Sequence, residues 1–266
     1  MFKVENLSNN DNLRVVEQMG NMRVLEYIND LSVTPDMAVS AYFSSKMNVR
    51  KRQLLLKLEN SEYTLSSGAM QWMLGNIEAV ADVKGVGDFL GKVVKGSVTG
   101  EGAVKPKYKG NGLLMLEPTF KHIVLDDLSN WGDGVVLDDG LFLACESSVN
   151  QTITARSNFS SAILGGEGLF NLKLVGSGIF ALECPVPKDE LIEVSLDNDV
   201  LKVDGNFAIA WSSSLDFTVE KSTKSLIGSA ISAEGFVNVF RGTGKVLLAP
   251  IMNTKISTIA SMPKNV

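Results

Sequence analysis

The chain holds one histidine, His122, and two cysteines, Cys145 and Cys184, so imidazole and thiol chemistry have few carriers. A serine or cysteine nucleophile needs a base within reach, and His122 is the single imidazole that could be one. It opens the run Phe-Lys-His-Ile-Val-Leu, a strand start, where a histidine is read as structural or surface-exposed. Neither cysteine has a Cys or His partner at metal-ligand spacing, and each lies in or beside an apolar run. Both are read as buried thiols acting as small hydrophobes. Metal centres of the cupin type recruit several histidines and are excluded on count. Acids and amides crowd 126–139 (Asp126, Asp127, Asn130, Asp133, Asp138, Asp139), but the order of a calcium-binding EF-hand loop is absent, and such residues serve turns on their own account. The glycine-rich stretches lack both the phosphate-loop and the dinucleotide fingerprints. No enzyme is expected, and no cofactor or metal.

Two sets of charged residues remain as binding candidates. Glu101, Glu167 and Glu234 recur 66 and 67 residues apart, each followed by glycine. They either converge as axial carboxylates able to hold a small ligand or ion, or each accepts backbone N–H bonds in its own tight turn; the flanking glycines favour the turn. Lys105, Lys107 and Lys109 stand at period two, which puts them on one face of a strand, with Arg50 and Arg52 ahead of them. Net charge is −5, yet residues 46–109 carry 11 Lys/Arg against 6 Asp/Glu. A basic strip of this kind suits RNA, an anionic surface or another polyanion. Nucleic-acid sheets add stacking aromatics, and here only Tyr108 is offered, on the opposite face.

The elements that position these residues follow from a long repeat. GEGAVKPKYKGNGLLMLEP (100–118), GEGLFNLKLVGSGIFALECP (166–185) and AEGFVNVFRGTGKVLLAP (233–250) align at Glu-Gly, at Gly110/Gly112, Gly176/Gly178 and Gly242/Gly244, and at Pro118, Pro185 and Pro250. Upstream, each copy opens on an apolar run and turns at Ser67-Gly68, Asp139-Gly140 or Asp204-Gly205, pairs suited to strand hairpins. The Gly-x-Gly pairs are read as a further hairpin turn. Short apolar runs such as Leu113–Leu116 and Lys245–Leu248, bounded by Gly and Pro, read as buried strands, and 170–175 alternates as a half-buried one. Helix signals are confined to Val86–Lys95, Asn158–Leu164 and Thr223–Ile231, short turns at most.

One repeat of this length buries too little surface to stand alone. The expectation is an all-β fold: a single body of three tandem β repeats (about 50–118, 119–185 and 186–250) in pseudo-threefold arrangement. Residues 1–48 form an N-terminal extension adding strands, one within MRVLEYINDLSV and another after Pro35 at AVSAYF, and 251–266 form a tail. No apolar run approaches the roughly 18 residues that span a bilayer, and the opening MFKVENLSNNDN lacks a secretory pattern. A cytoplasmic setting is expected.

The thrice-used pattern of GLFLA or GNFAIAW, then GEGLF, then Gly-x-Gly and an apolar strand resembles the altered-inheritance-of-mitochondria protein 24 family over 50–250. The resemblance implies a β-sandwich like that of the tryptophan RNA-binding attenuation protein, with repeats placed as subunits of a ring, and it transfers no catalytic residues. The first repeat departs from the pattern with Ser67-Gly68 and a longer insertion at 74–99. The leading expectation is a non-enzymatic scaffold or macromolecule-binding protein, with self-association into a homo-oligomer among its candidate partnerships. The alternatives are RNA or polyanion binding through the basic first repeat, and ligand or ion binding at the pseudo-threefold centre.

Overall fold

In the computed structural model, residues 2–80, 105–155, 170–221 and 236–251 are described, and they are mostly strand. The first 48 residues give β1 (Leu13–Met19), β2 (Met22–Tyr27) and one helix, α1 (Ala38–Lys46). Then come β3 (Arg52–Leu65), β4 (Met70–Val80) and β5 (Lys107–Leu116). The middle of the chain is cut finer: β6 (His122–Asp127), a 3-10 turn (Leu128–Trp131), β7 (Val135–Leu137), β8 (Phe142–Glu146), β9 (Val149–Ala155), β10 (Phe170–Gly176) and β11 (Ile179–Cys184). The last part holds β12 (Ile192–Asp204), β13 (Ala208–Ser212), β14 (Asp216–Lys221) and β15 (Phe236–Leu248).

All pairings are antiparallel, in two sheets. One runs β1-β2-β3-β8-β11-β6, with β5 also on β3 and β4 on β5; the other runs β12-β15-β13-β7-β10-β9, with β14 on β15. A common plan underlies them. β5 lies between β3 and β4, β15 lies between β12 and the β13/β14 pair, and β11 and β10 lie between β6/β7 and β8/β9. Because the middle set of strands is broken at Ser177 and at the 3-10 turn, its two halves enter different sheets and tie them together.

The Gly-x-Gly pairs correct the sequence reading: they bend the central strands and make no hairpin turn. Gly110 sits inside β5 at φ +143, where a Cβ would lie 2.0 Å from the Asn76 carbonyl oxygen. No side chain fits that approach. Opposite the bends, β3 and β12 bulge at Asn60 and Asn198, both at φ +51. The residue between each glycine pair serves the bulge: Asn111 Oδ1 accepts from Asn60 N–H at 2.8 Å and Thr243 Oγ1 from Asn198 N–H at 3.0 Å.

The first sheet curls until β1 approaches β6, and a side chain closes the gap. Glu17 accepts from Leu125 N–H at 3.2 Å, while Lys188 Nζ donates to Leu125 O at 3.2 Å. Met22, Val24, Leu54, Leu56, Ile123 and Leu125 fill the interior so enclosed. The second sheet covers Leu137, Leu174, Phe180 and Ile209 on one side, and holds the Trp211–Phe217–Phe240 aromatic group, with centroids 5.1–5.3 Å apart. Asn171, on the strand expected to be half-buried, is itself buried and donates to Leu137 O at 3.0 Å. The three stretches expected to make short helices lie outside the described residues.

Candidate functional site

After Pro35 the expected strand is α1, a correction with a local cause. Pro35 and Asp36 form the turn that starts it, Ala38 and Ala41 favour helix, and Asn48 at φ +64 stops it. Val39, Phe43 and Met47 stand four apart, so they stack on one side of the helix. A surface helix turns such a stripe inward. This one does not: Val39 is 69% exposed, Phe43 63% and Met47 78%, and no residue of α1 is buried. Tyr42 and Leu31 are also exposed, and Lys46 Nζ stands 5.1 Å from the Tyr42 ring centre.

What fixes this helix to the sheet is a charged cluster at the start of β3. Register places Glu26 on β2 opposite Arg52 on β3, and both are buried. Glu26 Oε1 accepts from Arg14 Nη2 at 2.7 Å and Arg50 Nη1 at 2.9 Å; its Oε2 accepts from Arg52 Nε at 2.8 Å. The same guanidinium groups hold the end of the helix. Arg50 Nε donates to Ser45 O at 3.2 Å, and Arg52 Nη2 to Asn48 O at 3.0 Å and Asn48 Oδ1 at 2.8 Å. Burial alone would raise the Glu26 pKa, but hydrogen bonds from Arg50 and Arg14 and the Arg52 charge outweigh it and hold it below the usual range. Burial, then the Arg52 charge, brings His122 down to about 4, with Glu26 opposing. The imidazole is neutral at pH 7. Three guanidinium groups on one carboxylate leave this end of the molecule positive.

Arg50 and Arg52, two residues of the expected basic strip, are therefore structural partners of Glu26. The lysines are elsewhere. Lys109 and Lys107 face Glu62 and Thr64 at the far end of β3, roughly 33 Å from Arg52 at about 3.3 Å per residue. Tyr108 is buried on the other face, Lys107 Nζ lies 3.7 Å from Glu62, and Lys105 Nζ is 5.0 Å from the Phe142 ring centre. The structure does not bring the five residues into one strip.

The remaining chemistry-bearing residues are occupied. Both thiols are buried, which pushes each up to about 12. Asp126 accepts from Trp131 Nε1 and Asn130 Nδ2, both at 2.8 Å, and Asp127 caps the 3-10 turn through Ser129 N–H. No cluster suited to a metal ion occurs among the described residues. Glu101, Glu167 and Glu234 lie outside them. An open cavity of about 310 Å³ sits between the turns at Ser66–Ala69 and Gly140, with Glu117, Thr119 and Glu183 on its rim. Among the described residues no helix is long and apolar enough to cross a membrane.

Sequence reasoning missed α1 and Glu26. The spacing of Val39, Phe43 and Met47 was the available signal for the helix, outweighed by β-branched and aromatic residues that also suit a strand. Glu26 had none, since only the β2–β3 register makes it a partner of Arg52.

Known proteins locate the chain by family. No curated protein matches it. Among solved structures, the X-ray crystal structure of a Streptococcus pyogenes protein is similar at 23% identity and TM-score 0.57, covering 87% of this chain and 94% of that one. At that identity the likeness concerns the fold. A family model described as Mitochondrial biogenesis AIM24 matches residues 45–251, more than three quarters of the sequence and all the strands from β3 to β15. The chain belongs to that family.

Proposed function

We propose that the protein is a non-enzymatic scaffold that binds a macromolecular surface through α1, and that the surface it fits is an anionic lipid interface. The observation that carries this reading is the outward stripe of Val39, Phe43 and Met47 on a helix fastened at its C-terminal end by Arg50 and Arg52. A loose helix would fold its apolar side inward. Fastening keeps it out. Exposed aromatic and aliphatic residues flanked by cations are the composition of interfacial anchors. Lys46 supplies one cation and the three arginines that share the single Glu26 carboxylate supply an excess of positive charge, while Lys51 is balanced by Asp30 at 2.7 Å. The chain's charge of −5 opposes approach at long range, but screening over about 8 Å leaves the local patch free to act.

In the same reading the body behind the anchor is a rigid frame of three β units, and the repeated strand order supports that division. The absence of enzyme chemistry belongs to the proposal too. It is supported by two buried thiols, a neutral histidine beside Arg52, and carboxylates already used in turns.

The test is flotation of the full chain with vesicles of phosphatidylcholine alone or with a phosphatidylserine fraction, at low and physiological salt. Binding to the anionic vesicles, weakened by salt and lost in a Val39→Ser/Phe43→Ser/Met47→Ser variant with an unchanged melting temperature, is the expected outcome. No binding at low salt, or equal binding by the variant, overturns it.

A further inference from the structure

Twice within this chain the end of one unit's first strand pairs with the start of the next unit's second strand. Tyr63, Thr64 and Leu65 of β3 face Glu146, Cys145 and Ala144 of β8. Val135, Val136 and Leu137 of β7 face Ser212, Trp211 and Ala210 of β13. The flanking bonds also correspond. Ser66 N–H donates to Leu143 O and Ser147 N–H to Glu62 O; Asp138 N–H donates to Ile209 O and Ser213 N–H to Gly134 O. Counted from the second residue of the turn that follows each unit's first strand (Gly68, Gly140 and Asn206), the two junctions have one register. The residue three before that position faces the residue four after it in the next unit.

The same count defines a third junction that the chain does not make with itself. It would set Val203, Lys202 and Leu201 of β12 against Trp72, Met73 and Leu74 of β4, with Asp204 N–H directed at Gln71 O and Gly75 N–H at Val200 O. Instead β4 pairs only with β5, β12 pairs only with β15, and the two lie in different sheets among the described residues. Edge strands of soluble proteins are ordinarily short, charged or interrupted by proline. β4 is 11 residues long, has no charge from Met70 through Ile77 and no proline, and exposes Met73 at 44%. Among the described residues no strand pairs with its outer edge.

We propose that β4 of one copy takes up the 200–204 end of β12 from a second copy, repeating between molecules the junction made twice within each. The fit follows from register: the two free edges are the two halves of one contact, so each copy offers what the next requires. Such a contact is head-to-tail and leaves a free β4 at one end and a free β12 at the other, so assembly continues by addition. The inference does not depend on the lipid reading, since it uses neither α1 nor its cations.

Met73 and Lys202 would face each other as a hydrogen-bonded pair, with Cα atoms about 5.5 Å apart, inside the range a disulfide spans. The native thiols are buried and leave the assay clean. Met73→Cys and Lys202→Cys full-length variants, mixed and mildly oxidised, are expected to give a covalent species of twice the 28.7 kDa chain mass, which neither gives alone. By the alternation of the ladder the Met73 N–H points away from β5, so Met73→Pro keeps the β4–β5 pairing and removes a donor only from the free edge. In sedimentation the parent is expected to rise in mass with concentration and that variant to stay at the monomer mass. Three results overturn the proposal: no mixed crosslink and constant monomer mass, crosslinking of Met73→Cys with itself, or an internal disulfide in a monomeric Met73→Cys/Lys202→Cys chain.

Discussion

Glu26 is where a single residue does most for this protein, because its carboxylate takes hydrogen bonds from three arginines that come from β1, the α1–β3 connection and β3 itself. His122 sits beside this group and responds to it. Its pKa in the folded chain is about 4, against an ordinary value near 6.5 when unfolded, so between those values the unfolded chain binds the proton and the folded one resists it. Stability is expected to be full above about pH 6.5 and to fall as pH drops towards 4. His122→Gln removes that slope, and urea unfolding at pH 4.5 and pH 7 measures it; an undiminished slope in the variant would place the effect elsewhere. Glu26, with its pKa depressed, keeps its contribution until pH falls below the ordinary carboxylate range, so its loss comes later in the same titration. Much of this neighbourhood was beyond sequence reasoning. That both cysteines are buried is read from their apolar flanks, but Arg50 and Arg52 looked like surface cations because nothing local to them names Glu26, 26 residues before Arg52.

Strands and turns were more legible, and the exceptions have physical causes. Ser67-Gly68 and Asp139-Gly140 do turn the chain, with both glycines at φ +77, but they close no hairpin: β3 and β4 each pair with β5 and not with each other, and β7 and β8 lie in different sheets. The Gly-x-Gly pairs carry the same residue type for a different reason: the central strand bends so sharply that its backbone touches its neighbour. Period and composition do not separate these two uses of glycine. A pair of substitutions does. Gly68→Ala meets nothing within 4 Å and is expected to cost about 1 kcal/mol, the ordinary charge for a left-handed residue. Gly110→Ala drives a methyl onto the Asn76 carbonyl and is expected to cost about 3 kcal/mol or more. Equal losses in chemical denaturation would mean the bend relaxes freely. α1 was misread because nine residues rich in Val, Tyr, Phe and Ser satisfy strand and helix alike, and only its fastening through Ser45 and Asn48 decides the matter.

At the scale of the molecule, the all-β class was readable because short apolar runs are bounded by glycine and proline throughout the sequence. The curling of the first sheet was not, since it depends on Glu17 meeting Leu125 across 108 positions of sequence. The β1–β2 hairpin covers Leu54, Leu56, Ile123 and Leu125. A chain lacking residues 1–28 is therefore expected to bind a hydrophobic dye and lose the sharp thermal transition of the parent; an unchanged melt would show that hairpin to be a passenger. The Glu17 contact also sets a calendar for synthesis. Lys188, which completes the closure, is made long after β1, so the hairpin waits on a nascent chain with no β6 to meet. For that interval the β1–β2 hairpin, though made before β6, stays the least finished part of its sheet. A ribosome stalled anywhere before residue 188 leaves the first sheet open, with its oily lining facing whatever chaperone arrives first.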